Sequence, residues 1–226
     1  MILRNSSQLT RLEILKILVP WMAYWSAVIG TLMYVIKPQG IDQFHNNSIT
    51  ASYFIAFTLA SIWIFKIYRP LTLHQVWSKQ LAASLLTAMI YFTLCYLVSN
   101  GIPLRPEVEE RILVSRFYFP LFTFGTAATK FVDVLFQQVT IYGLLRRLQL
   151  SGLQRNPTIF VFSTAFLLLH LPLFHSLGFT AVYLVLPSAL AGWIFSSLIL
   201  NYELGPSLAL GVHLIFYVTI GAYLRL

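Results

Sequence analysis

Two histidines lie deep within apolar stretches of the chain, His170 in the segment Phe166–His170 and His213 in the segment Gly211–Tyr217. An ionisable side chain at membrane depth is costly unless it faces the interior of a helix bundle and has a partner there. An imidazole can transfer protons, and it can bind a first-row metal such as zinc. The pair therefore predicts an intramembrane functional site, with His170 and His213 as candidate catalytic residues and metal ligands.

A stripe of polar residues accompanies the histidines on another predicted helix. Asp133, Gln137 and Thr140 recur at i, i+4 and i+7, and Gln138 lies on an adjacent face. A lipid-facing helix has no use for such a stripe, so it should point into the bundle. Two interpretations remain open. Lys130 and Asp133 neutralise each other while the amides hold helices together, or the stripe and the histidines form one site.

The composition predicts the elements that must position these residues. The chain has 226 residues, of which 58% are hydrophobic and 10% charged, too apolar for an ordinary soluble domain. A membrane-spanning helix needs about 20 apolar residues. The sequence predicts an all-α, polytopic transmembrane bundle of about seven spans, three within residues 1–116 and four within residues 117–226. The apolar stretches run roughly over residues 14–36, 51–68, 81–98, 117–145, 158–174, 179–200 and 206–224.

The net charge of +8 is best explained by membrane topology. The basic residues flank apolar stretches, and with a cytoplasmic N-terminus nine of them fall on the cytoplasmic side and five on the other. This bias predicts an integral, multi-pass protein with its N-terminus in the cytoplasm and no nucleic-acid partner. The only cysteine is Cys95, so an intramolecular disulfide and a Cys-based zinc site are excluded.

This topology places the polar residues of three helices at similar depth. Gln137, His170 and His213 lie about 8, 12 and 7 residues from the predicted cytoplasmic ends of their helices, or roughly 10 to 18 Å at the α-helical rise. We therefore expect both imidazoles to face the helix that carries Gln137 and Gln138. Together they would enclose a polar pocket open toward the cytoplasm.

The order and spacing of these segments resemble the CPBP family, the CAAX-protease and bacteriocin-processing intramembrane proteins. Members carry a Glu-Glu-x-x-x-Arg-Gly motif, then Phe-x-x-x-His, then His-x-x-x-Asn on a final span. The corresponding segments here are Gln137–Gly143, Phe166–His170 and His213–Tyr217. The resemblance covers roughly residues 117–224, and it implies a CPBP-like core in the C-terminal half of the bundle.

The departures from the family motifs concern its chemistry. The resemblance implies a glutamate-dependent endopeptidase, in which the Glu pair and two histidines activate a water, often together with a metal. Gln137 and Gln138 stand in place of the Glu pair, Tyr142 in place of the Arg and Tyr217 in place of the Asn. An amide cannot act as a general base. The acidic pair and its cationic partner are absent together, as expected of a scaffold that keeps the fold without the chemistry.

The sequence therefore favours a non-proteolytic protein that binds within the membrane. The expected partners are membrane lipids, a lipidated or membrane-embedded peptide, or a partner helix. The alternative is an active endopeptidase in which Asp133, His170 and His213 form a two-His-one-carboxylate site for a divalent metal such as zinc. Two observations oppose this alternative. Asp133 lies one turn, about 5 to 6 Å, from Gln137, and Lys130 is placed to pair with Asp133. A small transporter component fits the composition, but no inverted repeat supports it.

Overall fold

The computed structural model describes residues 11–42, 44–66, 74–115, 118–174 and 181–226, and no strand occurs among them. A π-helical turn at Leu32–Ile36 and a 3-10 turn at Lys37–Gln39 continue the first helix, and a 3-10 turn at Phe119–Leu121 precedes the fifth. The α-helices of the described residues are α1 Arg11–Thr31, α2 Asn47–Ile64, α3 His74–Gly101, α4 Pro106–Ser115, α5 Phe124–Leu150, α6 Arg155–His170, α7 Val182–Asn201 and α8 Gly205–Arg225.

The all-α prediction is confirmed, and each predicted apolar stretch coincides with a long helix. Some ends of these stretches, at residues 67–68, 117 and 179–180, lie outside the described residues. Among the described residues, four helices are long and apolar enough to cross a membrane, which supports an integral membrane protein. They are Arg11–Gln39, Asn47–Ile64, Ser78–Gly101 and Gly205–Arg225.

Helix α5 occupies the centre of the bundle. It packs against α1, α2, α3, α6, α7 and α8, and Phe136, Ile141 and Leu144 are fully buried on it. The most extensive packing joins α2 to α5, α6 to α7 and α3 to α8. Because other helices surround α5, its polar stripe is directed into protein, as the sequence predicts.

The start of α5 differs from the predicted stretch, which begins at residue 117. The helix begins at Phe124, where the Thr123 hydroxyl accepts a hydrogen bond of 3.2 Å from the Thr126 amide. The preceding Phe122 has φ +53°, in the left-handed region, so a continuous helix is interrupted there. The Arg225 guanidinium donates to the Leu121 carbonyl and holds this turn against the end of α8.

The short helix α4 carries three glutamates between the third and fifth long helices. Glu107, Glu109 and Glu110 are all exposed on it. Glu107 and Glu109 lie in the first turn, where negative charge is favourable beside the helix dipole.

Candidate functional site

A cavity of about 570 Å³ lies between α1, α5, α6, α7 and α8. Its size falls within the range of roughly 300 to 1,000 Å³ that is usual for small-molecule sites. The walls are largely apolar and aromatic. One side, which we call the polar floor, is formed by Lys130, Asp133, Gln137, His213 and Tyr217. His170 also lines the cavity.

The sequence prediction that these polar residues meet is therefore confirmed in part. His170, His213, Gln137 and Asp133 come from three helices and line the same cavity. Gln138 does not line it but contacts His213 directly.

Lys130 and Asp133 form a buried ion pair on α5. The Lys130 ammonium donates to Asp133 Oδ2 at 2.6 Å, and the two side chains are 9% and 7% exposed. The Gln137 amide donates to Asp133 Oδ1 at 2.9 Å, so both carboxylate oxygens are engaged. Lys130 Nζ also lies 4.5 Å from the centre of the Tyr217 ring. The mutual neutralisation considered from sequence is thus present.

His213 is held by Gln138 and by two aromatic rings. Gln138 Nε2 lies 3.0 Å from His213 Nδ1, and the imidazole packs at 4.8 Å from Phe195 and 5.4 Å from Tyr217. With Gln138 donating to Nδ1, the neutral ring carries its proton on Nε2. Gln138 Oε1 is buried and has no hydrogen-bond partner in the described part of the chain.

His170, the last residue of α6, has different partners. Its Nδ1 lies 2.7 Å from the Phe166 carbonyl, which can only accept, so Nδ1 carries the proton. The imidazole packs at 4.6 Å from Phe166 and 6.1 Å from Trp25. His170 therefore shares the cavity with Gln137, while its ring contacts are with α1 and its own helix.

Thr140, the third member of the stripe, is satisfied locally. Its hydroxyl donates to the Gln137 carbonyl at 2.8 Å, and its own carbonyl accepts from Trp21 Nε1 at 2.8 Å. This residue therefore joins α1 to α5 and does not line the cavity.

The cavity extends toward the end of the bundle opposite the start of α1. Its lining includes Lys37 after α1, Tyr118 before α5 and Leu173 after α6. Among the described residues, none of the lining comes from residues 11–24 or 138–165. The expectation that the pocket opens on the side of the N-terminus is therefore wrong. The lining instead follows the ends of α1 and α6.

A π-helical turn, which the sequence did not reveal, shapes the cavity wall. At Leu32–Ile36 the Lys37 amide bonds the Leu32 carbonyl, a separation of five residues. Such turns are rare and are frequent at functional sites. Leu32, Met33 and Tyr34 line the cavity. Pro38 is the only local signal, since it lacks an N–H to continue the helix.

A second polar cluster, also missed from sequence, lies next to the cavity in the loop before α2. The Asp42 carboxylate accepts hydrogen bonds from the Phe44 and His45 amides at 2.8 Å, from the His45 ring, and from the Tyr118 hydroxyl at 3.0 Å. Burial acts to raise the pKa of Asp42, but the bonds from His45, Phe44 and Tyr118 together lower it. Tyr118 lines the cavity, so Asp42 fixes part of its wall. The short Asp42-x-x-His45 spacing was the available signal.

Within the described residues, no group of three or more His, Cys, Asp or Glu side chains is placed to hold a metal. Asp133 is engaged by Lys130 and Gln137, while each histidine uses Nδ1 for a different partner. Comparison with protein-family models, curated proteins and solved structures gives no match.

Proposed function

We propose that this chain is a seven-span membrane protein with a CPBP-like core that binds an apolar ligand within the bilayer and has no glutamate-dependent protease activity. Within the part of the chain that the structure describes, four spans are supported by helix length and hydropathy. The proposal adds α5, α6 and α7. Six other helices surround the polar helix α5 and shield its charged residues from lipid. This shielding supports a position of α5 inside the membrane.

The observation that carries the proposal is the cavity itself. It joins apolar walls to a polar floor, an arrangement typical of small-molecule sites. Its size and its position between apolar helices fit the hydrocarbon chain of a membrane lipid or of a lipidated peptide.

The absence of proteolysis is supported by the partners of the polar residues. The segment that would hold the Glu pair has two neutral amides, and Gln138 is used to hold His213. The alternative base, Asp133, is ion-paired with Lys130 at 2.6 Å. Removing that cation would leave a buried unpaired carboxylate, which is strongly unfavourable.

Ligand binding can be tested by filling the cavity. Gly30 lines it, and a Cβ atom added there meets no atom within 4 Å. In lipid nanodiscs, Gly30→Phe should abolish saturable binding of a fluorescent alkyl probe. Gly101, which also has open surroundings but does not line the cavity, provides the matched control Gly101→Phe. Equal binding by both variants and the wild type would show that the ligand does not use this cavity.

Proteolysis can be tested on the same preparations. With zinc present, the wild type should not cleave farnesylated peptides or membrane-embedded test substrates, and Asp133→Asn should not alter that result. If the wild type is an active protease and loses about 10²- to 10⁴-fold of its activity in Asp133→Asn or His170→Ala, the endopeptidase alternative replaces this proposal.

A variant that restores the acidic pair sharpens the comparison. Gain of cleavage in Gln137→Glu with Gln138→Glu would show a scaffold that lacks only its base. We expect no gain, because Asp133 and Lys130 already fill the position next to Gln137.

A further inference from the structure

Each histidine in the cavity has used one ring nitrogen and retains the other. Nδ1 of His170 donates to the Phe166 carbonyl, so Nε2 of the neutral ring is an acceptor. Nδ1 of His213 accepts from Gln138, so its Nε2 is a donor. Neither Nε2 has a hydrogen-bond partner among the described residues. Neither atom is fully buried, since the fully buried polar atoms without a partner do not include them. The cavity is therefore lined by one imidazole acceptor and one imidazole donor.

These two nitrogens lie at the ends of one aromatic wall. His170 packs on Phe166 at 4.6 Å, Phe166 on Phe195 at 6.1 Å, and Phe195 on His213 at 4.8 Å. An apolar chain that lies along the phenyl rings thus has a hydrogen-bonding group within reach of its end.

The polar floor favours an uncharged head group. Its cation and its carboxylate, Lys130 and Asp133, are paired with each other at 2.6 Å. A charged head group that reaches this floor would lose its hydration without an opposite charge in excess there, which is strongly unfavourable among apolar walls. The same reason favours neutral imidazoles.

We propose that the ligand of this cavity is a single-chain lipid that ends in a hydroxyl group. A hydroxyl group both donates and accepts, so it can satisfy either histidine. An ether oxygen can satisfy only His213, and an ammonium group can satisfy only His170. This inference rests on the proposed function and specifies its ligand class.

The test uses wild-type protein in nanodiscs that hold a fluorescent alkyl probe. The competitors are 1-tetradecanol, its methyl ether, tetradecane and tetradecanoate, each compared at equal mole fraction of the lipid so that partitioning cancels. One hydrogen bond typically changes affinity by a few-fold to tenfold. The alcohol should displace the probe at roughly five- to ten-fold lower mole fraction than the alkane, with the ether between them and the carboxylate weaker than the alcohol.

Two variants assign the histidines. His213→Phe should remove the advantage of the ether over the alkane, because it removes the donor. His170→Phe should weaken the alcohol and leave the ether unchanged, because it removes the acceptor. Gln149→Phe, at an exposed position outside the cavity, is the control and should behave as the wild type.

The outcomes separate this inference from the proposed function. If the alcohol and the alkane compete equally in the wild type, or if tetradecanoate competes best, the hydroxyl inference is overturned while apolar binding stands. If the probe itself does not bind saturably, the proposed function fails. Because the ligand series needs no variant, the inference remains testable even if a histidine variant does not fold.

Discussion

Replacing Lys130 with methionine should destabilise the bundle, because it leaves the Asp133 carboxylate buried with one remaining donor. The ion pair spans 2.6 Å between side chains that are 9% and 7% exposed. Removal of one partner from a buried pair costs about 3 to 5 kcal/mol, mainly for the uncompensated charge. Gln137 still donates to Asp133, and the carboxyl can also take up a proton, so we expect the lower end, about 3 kcal/mol.

Thermal unfolding in detergent measures this effect. For a chain of this size, 1 kcal/mol corresponds to about 2 to 4 °C, so Tm should fall by about 6 to 12 °C. The double variant Lys130→Met with Asp133→Leu should recover most of the loss, since an apolar pair can replace a buried ion pair.

The chain offers a matched control in the exposed pair of Lys79 and Glu203. These side chains are 62% and 57% exposed, and their atoms lie 3.3 Å apart. Lys79→Met should change the free energy of unfolding by less than about 1 kcal/mol. If Lys130→Met lowers the free energy of unfolding no more than Lys79→Met does, the charge of Asp133 does not depend on Lys130. The same conclusion follows if the double variant is no more stable than Lys130→Met.

Three further predictions concern other parts of the fold. Gly205→Ala should lower the free energy of unfolding by about 1 to 3 kcal/mol in thermal unfolding, because the new Cβ would overlap the backbone at the end of α7. Gly101→Ala, at a position with open surroundings, should change this free energy little. The pKa of Asp42 is lowered in the folded protein, so its stabilising effect is present above the unfolded pKa of about 4 and is lost as pH falls through the folded pKa. Asp42→Asn should therefore increase hydrogen exchange in the adjoining loop at neutral pH. The same variant should not show the acid-induced opening of this loop that we expect of the wild type. Labelling of single cysteines in a cysteine-free background should place residues 150–156 in the cytoplasm and residues 106–110 on the other side, and the reverse pattern would refute the charge-bias argument.

The positions of the long helices could be predicted because hydropathy alone determines which segments can be buried in a membrane or a bundle. The start of α5 could not. Residues 119–122 are as apolar as the helix that follows, and they turn because the Arg225 guanidinium binds the Leu121 carbonyl and Phe122 adopts a positive φ. The bond from Arg225 joins residues 104 positions apart, so no local pattern contains it. Pro120 is the local signal for the interruption.

The polar site was predictable to the level of the helix face. Helical spacing alone places Asp133 and Gln137 on one side of α5 and allows Lys130 to reach Asp133. It does not determine which amide meets which imidazole. Gln138, from the adjacent face, bonds His213, whereas His170 turns back to its own helix. That choice depends on how α5, α6 and α8 rotate against one another, and thus on packing across the whole core.

Tyr217, which stands where the motif that the sequence resembles has an asparagine, contacts the buried ion pair. It stacks on His213 at 5.4 Å, and its ring lies 4.5 Å from the Lys130 ammonium. An asparagine at this position would provide neither an aromatic face for the cation nor a stacking surface for the imidazole. The tyrosine therefore stabilises the same lysine that neutralises Asp133. For this reason we regard Tyr217, Lys130 and Asp133 as one packed unit, and we expect that Gln137→Glu with Gln138→Glu would not by itself give a protease.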